Sequence, residues 1–123
     1  MQGASALDKS IKRLNDGRVV LHVIWEPALA SDSGAPITQT LARISVPNTA
    51  QFWDPDRQLS KAMGEKPDNR KSIVWDWVAV YAPGMRWAAD PPEPAWSSRP
   101  VVNVTDAFET AVQEQLKSPV HAP

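Results

Sequence analysis

The sequence predicts an α/β domain in which helices cover both faces of a mixed sheet of four or five strands. Apolar, β-branched runs alternate with segments whose apolar residues recur at helical spacing. A long apolar run is followed by a Pro-Gly turn and a second short run, a pattern typical of an antiparallel pair. A tryptophan in or at the end of a strand-like run precedes an acid three times, at Trp25-Glu26, Trp53-Asp54 and Trp75-Asp76.

Composition narrows the class of protein. With 123 residues and a formal net charge of -1, the chain suits one compact domain and has no basic field for nucleic acid or an anionic membrane. The absence of cysteine excludes disulfides, thiolate catalysis and cysteine metal sites. We expect no cofactor. The beginning of the chain lacks a secretory pattern and every apolar run is strand-length, so we expect a cytoplasmic protein.

The N-terminal segment 1–17 is predicted to be helical. Apolar residues from Leu7 to Leu14 recur on one helical face, and an Asn-Asp-Gly turn follows them. Because so short a helix is marginal alone, we expect it to depend on contacts with the α/β domain, 18–117. Residues 118–123 are expected to form a flexible tail.

Strands and helices alternate in the first half of this domain. Residues 19–25 form the clearest strand, and their nearly continuous apolarity is typical of a strand covered on both faces. A helix is predicted from Pro36 and a second strand over 49–53. The Asp-Pro-Asp sequence after that strand favours a helix start, with an acidic N-cap and proline in the first turn.

The second half is predicted to contain the remaining strands and the last helix. Residues 73–81 form the longest strand, and 85–87 return antiparallel to it. The segment 90–100 holds four prolines, so we expect irregular structure there. Residues 101–104 form the last strand, and an amphipathic helix closes the domain.

This order of elements resembles uncharacterised bacterial thioredoxin-like proteins that lack the Cys-x-x-Cys motif. The segments Trp-Glu-Pro at 25–27, Gln-Phe-Trp-Asp at 51–54 and Val-Trp-Asp at 74–76 support the resemblance, which covers roughly 19–116. It implies a thioredoxin-like three-layer α/β/α sandwich. Residues 33–36, Ser-Gly-Ala-Pro, stand where such proteins carry their redox cysteines. The resemblance therefore implies the fold without thiol-disulfide oxidoreductase activity.

A group of polar residues is predicted to meet beyond the carboxyl ends of two strands. Glu26 and Asp54 follow the strands directly, Asp32 lies in the first loop, and Arg57 follows Asp54. Together with Trp25 they would line the crevice where open α/β sheets bind ligands. Such a crevice suits a polar or cationic ligand, or a divalent ion held through oxygen. In the alternative interpretation Asp54 only caps a helix, Glu26 is solvated and Arg57 forms a surface ion pair.

Asp76 is predicted to be a buried carboxylate, because apolar residues flank it on a strand covered on both faces. A buried carboxylate needs partners or becomes neutral, so Asp76 is a candidate for proton transfer. The alternative is an acid that accepts hydrogen bonds from backbone or indole N–H groups. No second catalytic group accompanies it.

Two tryptophans and three cations complete the candidates. Trp87 and Trp96 lie in or beside the proline-rich segment, where an exposed ring would anchor a partner. The other tryptophans are expected in the core. Lys9, Lys12 and Arg13 are expected to form a solvated helix face, not a nucleic-acid-binding stripe.

These observations predict a non-catalytic binding or adaptor module for an unknown protein or small molecule, with a homodimer left open. The second hypothesis is a small-ligand or metal-assisted enzyme that uses the strand-end carboxylates. No nucleic-acid or membrane partner is expected.

Overall fold

The computed structural model describes residues 2–27, 34–63, 76–87 and 92–117. In chain order these residues form α1 (Gln2–Leu14), β1 (Leu21–Trp25), α2 (Thr38–Leu41), β2 (Thr49–Trp53), α3 (Gln58–Ala62), β3 (Val78–Val80), β4 (Trp96–Ser98), a 3-10 helix (Val101–Asn103) and α4 (Thr105–Lys117).

The described strands form two separate pairs. Strands β1 and β2 are parallel, with Leu21 opposite Thr49 and Trp25 opposite Trp53. Strands β3 and β4 are antiparallel, with Val78 opposite Ser98. Within the described ranges each sheet has two strands, so the predicted thioredoxin-like sandwich with a mixed four- or five-stranded sheet is wrong.

Local backbone geometry explains part of this difference. Asp76 has a φ of 49°, in the left-handed region, and this conformation interrupts the extended backbone just before β3. The predicted strand 73–81 is therefore reduced to Val78–Val80 within the described residues. Its beginning, 73–75, lies outside the residues that the structure describes.

The predicted last strand is a 3-10 helix. Asn103 N–H donates to the Pro100 carbonyl at 3.1 Å, and Val104 N–H donates to the Val101 carbonyl at 3.1 Å. These three-residue hydrogen bonds take the place of a strand ladder. The β-branched composition of 101–104 did not decide the structure, because β propensity depends strongly on neighbouring strands.

The partner of β3 also differs from the prediction. Met85 N–H donates to the Ala82 carbonyl at 3.2 Å, so the backbone turns where a returning strand was expected over 85–87. Strand β4 pairs with β3 instead, inside the segment predicted to be irregular. Its three residues lie between prolines and contain none, which leaves their N–H groups able to pair.

The core lies between α1, α4 and the β3–β4 pair. Among the described residues it contains eight buried apolar side chains: Ile11, Ile44, Val46, Val78, Val80, Val101, Phe108 and Val112. Helix α1 contributes Ile11, and its leucines at 7 and 14 pack against the same cluster. The N-terminal helix is therefore part of the core.

The carboxylate of Asp8 connects α1 to the segment that leads into β2. This residue is only 6% exposed. Its Oδ1 atom accepts hydrogen bonds from Ser45 N–H at 2.7 Å and Val46 N–H at 3.1 Å, and its Oδ2 atom lies 2.9 Å from Lys12 Nζ. Burial alone would raise the pKa of Asp8, but the contacts with Lys12, Ser45 and Val46 outweigh burial and lower it.

Replacing Asp8 by alanine is expected to lower the free energy of unfolding by about 2–4 kcal/mol, because two backbone N–H groups lose their acceptor in partly buried surroundings. Urea denaturation measures this difference. The matched control is Asp56→Ala, which removes an exposed carboxylate and should change stability by no more than about 0.5 kcal/mol. Equal losses in the two variants would contradict the importance of the Asp8 contact.

Stability is also expected to fall in acid. The pKa of Asp8 is lowered in the folded chain, so its contribution is present above the unfolded pKa and is lost as the pH falls through the folded value. The urea midpoint should therefore stay level above about pH 5 and decrease below it, as the pH falls past the unfolded pKa of 3.8 toward the lower folded value. Asp8→Asn should flatten this dependence, and an unchanged pH profile in that variant would argue against the assignment.

Candidate functional site

The parallel pairing of β1 and β2 places Glu26 and Asp54 side by side. Trp25 and Trp53 are opposite each other, and Asp54 N–H donates to the Trp25 carbonyl at 2.8 Å. The carboxyl group of Glu26 also interacts with that of Asp54, and this contact lowers the pKa of Asp54. The structure thus brings together the two acids that follow the strands.

The Asp54 carboxylate is committed to α3. Its Oδ1 accepts from Gln58 N–H at 3.1 Å and its Oδ2 accepts from Leu59 N–H at 2.9 Å. Burial would raise the pKa of Asp54, but hydrogen bonds with Glu26, Leu59 and Gln58, together with the positive charge of Lys61, lower it overall. Asp54 therefore stays charged while it satisfies the first free N–H groups of the helix.

Two further residues, Arg57 and Ser60, make contacts where the ends of β1 and β2 meet α3. Arg57 has a φ of 50° at the start of α3, and its Nη1 donates to the Pro27 carbonyl at 3.1 Å. Ser60 is 1% exposed, and its N–H donates to Glu26 Oε2 at 3.3 Å. Glu26 is accordingly half-buried against α3. These contacts join the ends of both strands to one helix.

Trp25 has a positioning contact of its own. Its indole Nε1 donates to Gln51 Oε1 at 2.8 Å, and Gln51 Nε2 donates to the Leu41 carbonyl at 3.0 Å. The ring is half-buried. Trp25 therefore links β1 to β2 and, through Gln51, to α2. Asp32, the remaining residue of the predicted crevice, lies outside the described residues.

The carboxylates at the ends of β1 and β2 act as hydrogen-bond acceptors for the first turn of α3. Asp54 Oδ1 and Oδ2 and Glu26 Oε2 each accept a backbone N–H from α3. Among the described residues, no three histidine, aspartate or glutamate side chains gather closely enough to hold a metal ion. Asp54 therefore accepts the free N–H groups of α3, as the capping interpretation predicted. The predicted helix start is wrong, however, because the N-cap residue is Arg57 and α3 begins at Gln58, after a turn over 55–56.

Asp76 takes a different position from the buried strand residue that was expected. It is exposed, lies before β3, and its Oδ1 accepts from Val101 N–H at 3.2 Å. Its carboxylate thus supports the start of the 3-10 helix. The left-handed φ of this residue moves its side chain out of the alternating pattern of the strand.

The two tryptophans predicted to bind a partner separate in the structure. Trp96 is half-buried, and its ring lies 6.3 Å from that of Phe108 in the core. Trp87 is 47% exposed, and its ring lies 5.6 Å from that of Tyr81 at 60°. Trp87 is thus the accessible member of the predicted pair.

Two groups near Trp87 in the chain, Tyr81 and Met85, were not predicted as site residues. Tyr81 precedes the Pro-Gly turn that brings it to Trp87, and its pKa is raised by burial and by the negative charge of Glu93. Within the described ranges its buried hydroxyl has no hydrogen-bond partner. Met85, on the same turn, is 47% exposed. The sequence feature that could have predicted this contact is the position of one aromatic residue on each side of a Pro-Gly turn.

Comparisons with protein-family models, with curated proteins and with solved structures found no match to this chain. Its relationship to thioredoxin-like proteins therefore stays a prediction. No helix in the described ranges combines the length and the apolar character that crossing a membrane requires.

If the strand-end acids act as helix caps, Asp54→Ala should lower the free energy of unfolding by about 1–2 kcal/mol, because two N–H groups of α3 lose their acceptor. Thermal and urea unfolding measure the loss. Asp56→Ala, in the same turn, is the matched control and should leave stability nearly unchanged. If Asp54→Ala were as stable as the original chain, the assignment of Asp54 as an acceptor for the N–H groups of α3 would be wrong.

Proposed function

We propose that this chain is a non-catalytic binding module whose partner is a protein segment that docks on an aromatic surface formed by Tyr81, Met85 and Trp87. The observation that supports it is the exposure of Trp87. This ring is 47% exposed, whereas Trp25, Trp53, Trp77 and Trp96 are half-buried. A large exposed aromatic ring is disfavoured by water and is the residue type most enriched in binding hot spots.

The neighbours of Trp87 restrict its mobility. Tyr81 directly follows β3, and its half-buried ring packs against Trp87 edge to face. The Met85 N–H bond to Ala82 closes the intervening turn. A ring held in place loses less conformational entropy when a partner binds. The aromatic surface is therefore pre-organised.

Charge indicates the chemistry of the partner. Glu93 is exposed and its negative charge acts on Tyr81. The faces of tryptophan and tyrosine rings attract cations. The surface therefore suits a segment that presents an apolar side chain next to arginine or lysine. A second copy of this chain is the alternative partner, which would give the homodimer considered above.

The enzyme hypothesis receives no comparable support. Asp54 and Glu26 hold the backbone of α3, and Asp76 holds the 3-10 helix. These roles explain the acids without a substrate.

Peptides selected from a random library on the full chain should test the aromatic surface. We expect Trp87→Ala to weaken the selected peptides at least tenfold in calorimetry, because the central anchor is removed. The matched control is Phe52→Ala, since Phe52 is 50% exposed but lies on β2, and it should change affinity less than twofold.

Two outcomes would overturn this proposal: selected peptides that bind Trp87→Ala as tightly as the original chain, or failure of selection to yield any peptide. Sedimentation at several protein concentrations separates the two partners. A dimer that Trp87→Ala dissociates would identify the second copy as the occupant, and this result would overturn the proposal of a different protein.

A further inference from the structure

A basic cleft lies beside α1, and its lining includes none of the residues of the aromatic surface. It is an open cavity of about 520 Å³. Its polar lining consists of three cations and two hydroxyl residues: Lys9, Arg13, Arg43, Ser5 and Thr105. We call this cavity the basic cleft.

Helix α1 forms one wall of the basic cleft. Ser5, Lys9 and Arg13 are spaced four residues apart and therefore lie along one face of the helix. Lys12 is separate from this row, because its Nζ lies 2.9 Å from Asp8 Oδ2. The cationic cluster noted in the sequence is thus divided: Lys9 and Arg13 line the cleft, and Lys12 stabilises the buried carboxylate.

The opposite side comes from distant parts of the chain. Arg43 follows α2, and its Nη1 lies 3.5 Å from Ser5 Oγ. Thr105 is the first residue of the 13-residue helix α4. The first turn of a helix carries N–H groups without intrahelical acceptors, which adds a positive partial charge to the set of cations.

The balance of charge in the cleft is positive. Arg13 is neutralised by Glu109, with Nη2 at 2.8 Å from Oε2 and Nε at 3.2 Å from Oε1, and Asp106 also acts on Arg13. The ion pairs found among the described residues include neither Lys9 nor Arg43. Two cations therefore face the cleft without a carboxylate partner in that part of the chain.

We propose that the basic cleft binds an oxyanion of the phosphate class, carried on a small organic molecule. A phosphate group accepts hydrogen bonds from several sides, and Lys9, Arg43 and the two hydroxyls offer donors from α1, from the turn after α2 and from α4. The cavity is within the size range of small-molecule sites and is larger than a lone phosphate needs. This proposal is independent of the aromatic surface.

Glycerol phosphate and inorganic phosphate are the probes, titrated into the full chain at constant ionic strength. Amide chemical shifts should change around Ser5, Lys9 and Arg43, and the binding should saturate. Glycerol phosphate should bind at least threefold tighter than inorganic phosphate if the remaining volume is used. Lys9→Gln and Arg43→Gln should each weaken binding at least fivefold.

The matched control is Lys117→Gln, which removes one exposed positive charge from the far end of α4 and should change the affinity less than twofold. If Lys117→Gln weakened binding as much as Lys9→Gln does, the loss would reflect the net charge of the protein. That result would overturn the assignment of the binding site to the basic cleft. Absence of saturable shifts with both probes would overturn it as well. Preference for inorganic phosphate would overturn the assignment to an organic phosphate.

Discussion

The buried carboxylate of Asp8 is the contact on which most of the described structure depends. A charge in the interior is costly unless hydrogen bonds replace its hydration. Here two backbone N–H groups and Lys12 replace it. Asp8 lies on α1, and its Oδ1 atom accepts hydrogen bonds from the N–H groups of residues 45–46, so this carboxylate fixes the segment that leads into β2. Ile11 packs α1 against the core.

The position of β2 then determines what happens at the other end of the sheet. Asn48 accepts Leu21 N–H at 3.0 Å through its carbonyl and donates to the Gly17 carbonyl at 2.9 Å through its side chain. These bonds set the register in which Trp25 lies opposite Trp53. That register brings Glu26 to Asp54, so the strand-end contact follows from the anchoring at the strand starts.

Local pattern predicted the features that need only local information. The helices at both ends and the strands β1 and β2 have clear periodicity, and the meeting of Glu26 with Asp54 follows from two parallel strands ending together. The predicted sheet of four or five strands was wrong because strand pairing depends on contacts between residues that are far apart in the sequence. Asp8 shows the same difficulty, since its partner Ser45 is 37 residues away and the sequence around Asp8 resembles an exposed helix face.

The structure also changes what net charge says about binding. The formal charge of -1 suggests a nearly neutral surface without preference for anions. Several acids, however, have carboxylates that accept hydrogen bonds from backbone N–H groups: Asp8, Glu26, Asp54 and Asp76. A carboxylate used in this way is less available to a ligand, whereas Lys9 and Arg43 keep their donors toward an open cleft. Glu109 neutralises Arg13, and the described ion pairs include neither Lys9 nor Arg43, so the net charge of the cleft lining is positive although the whole chain is nearly neutral.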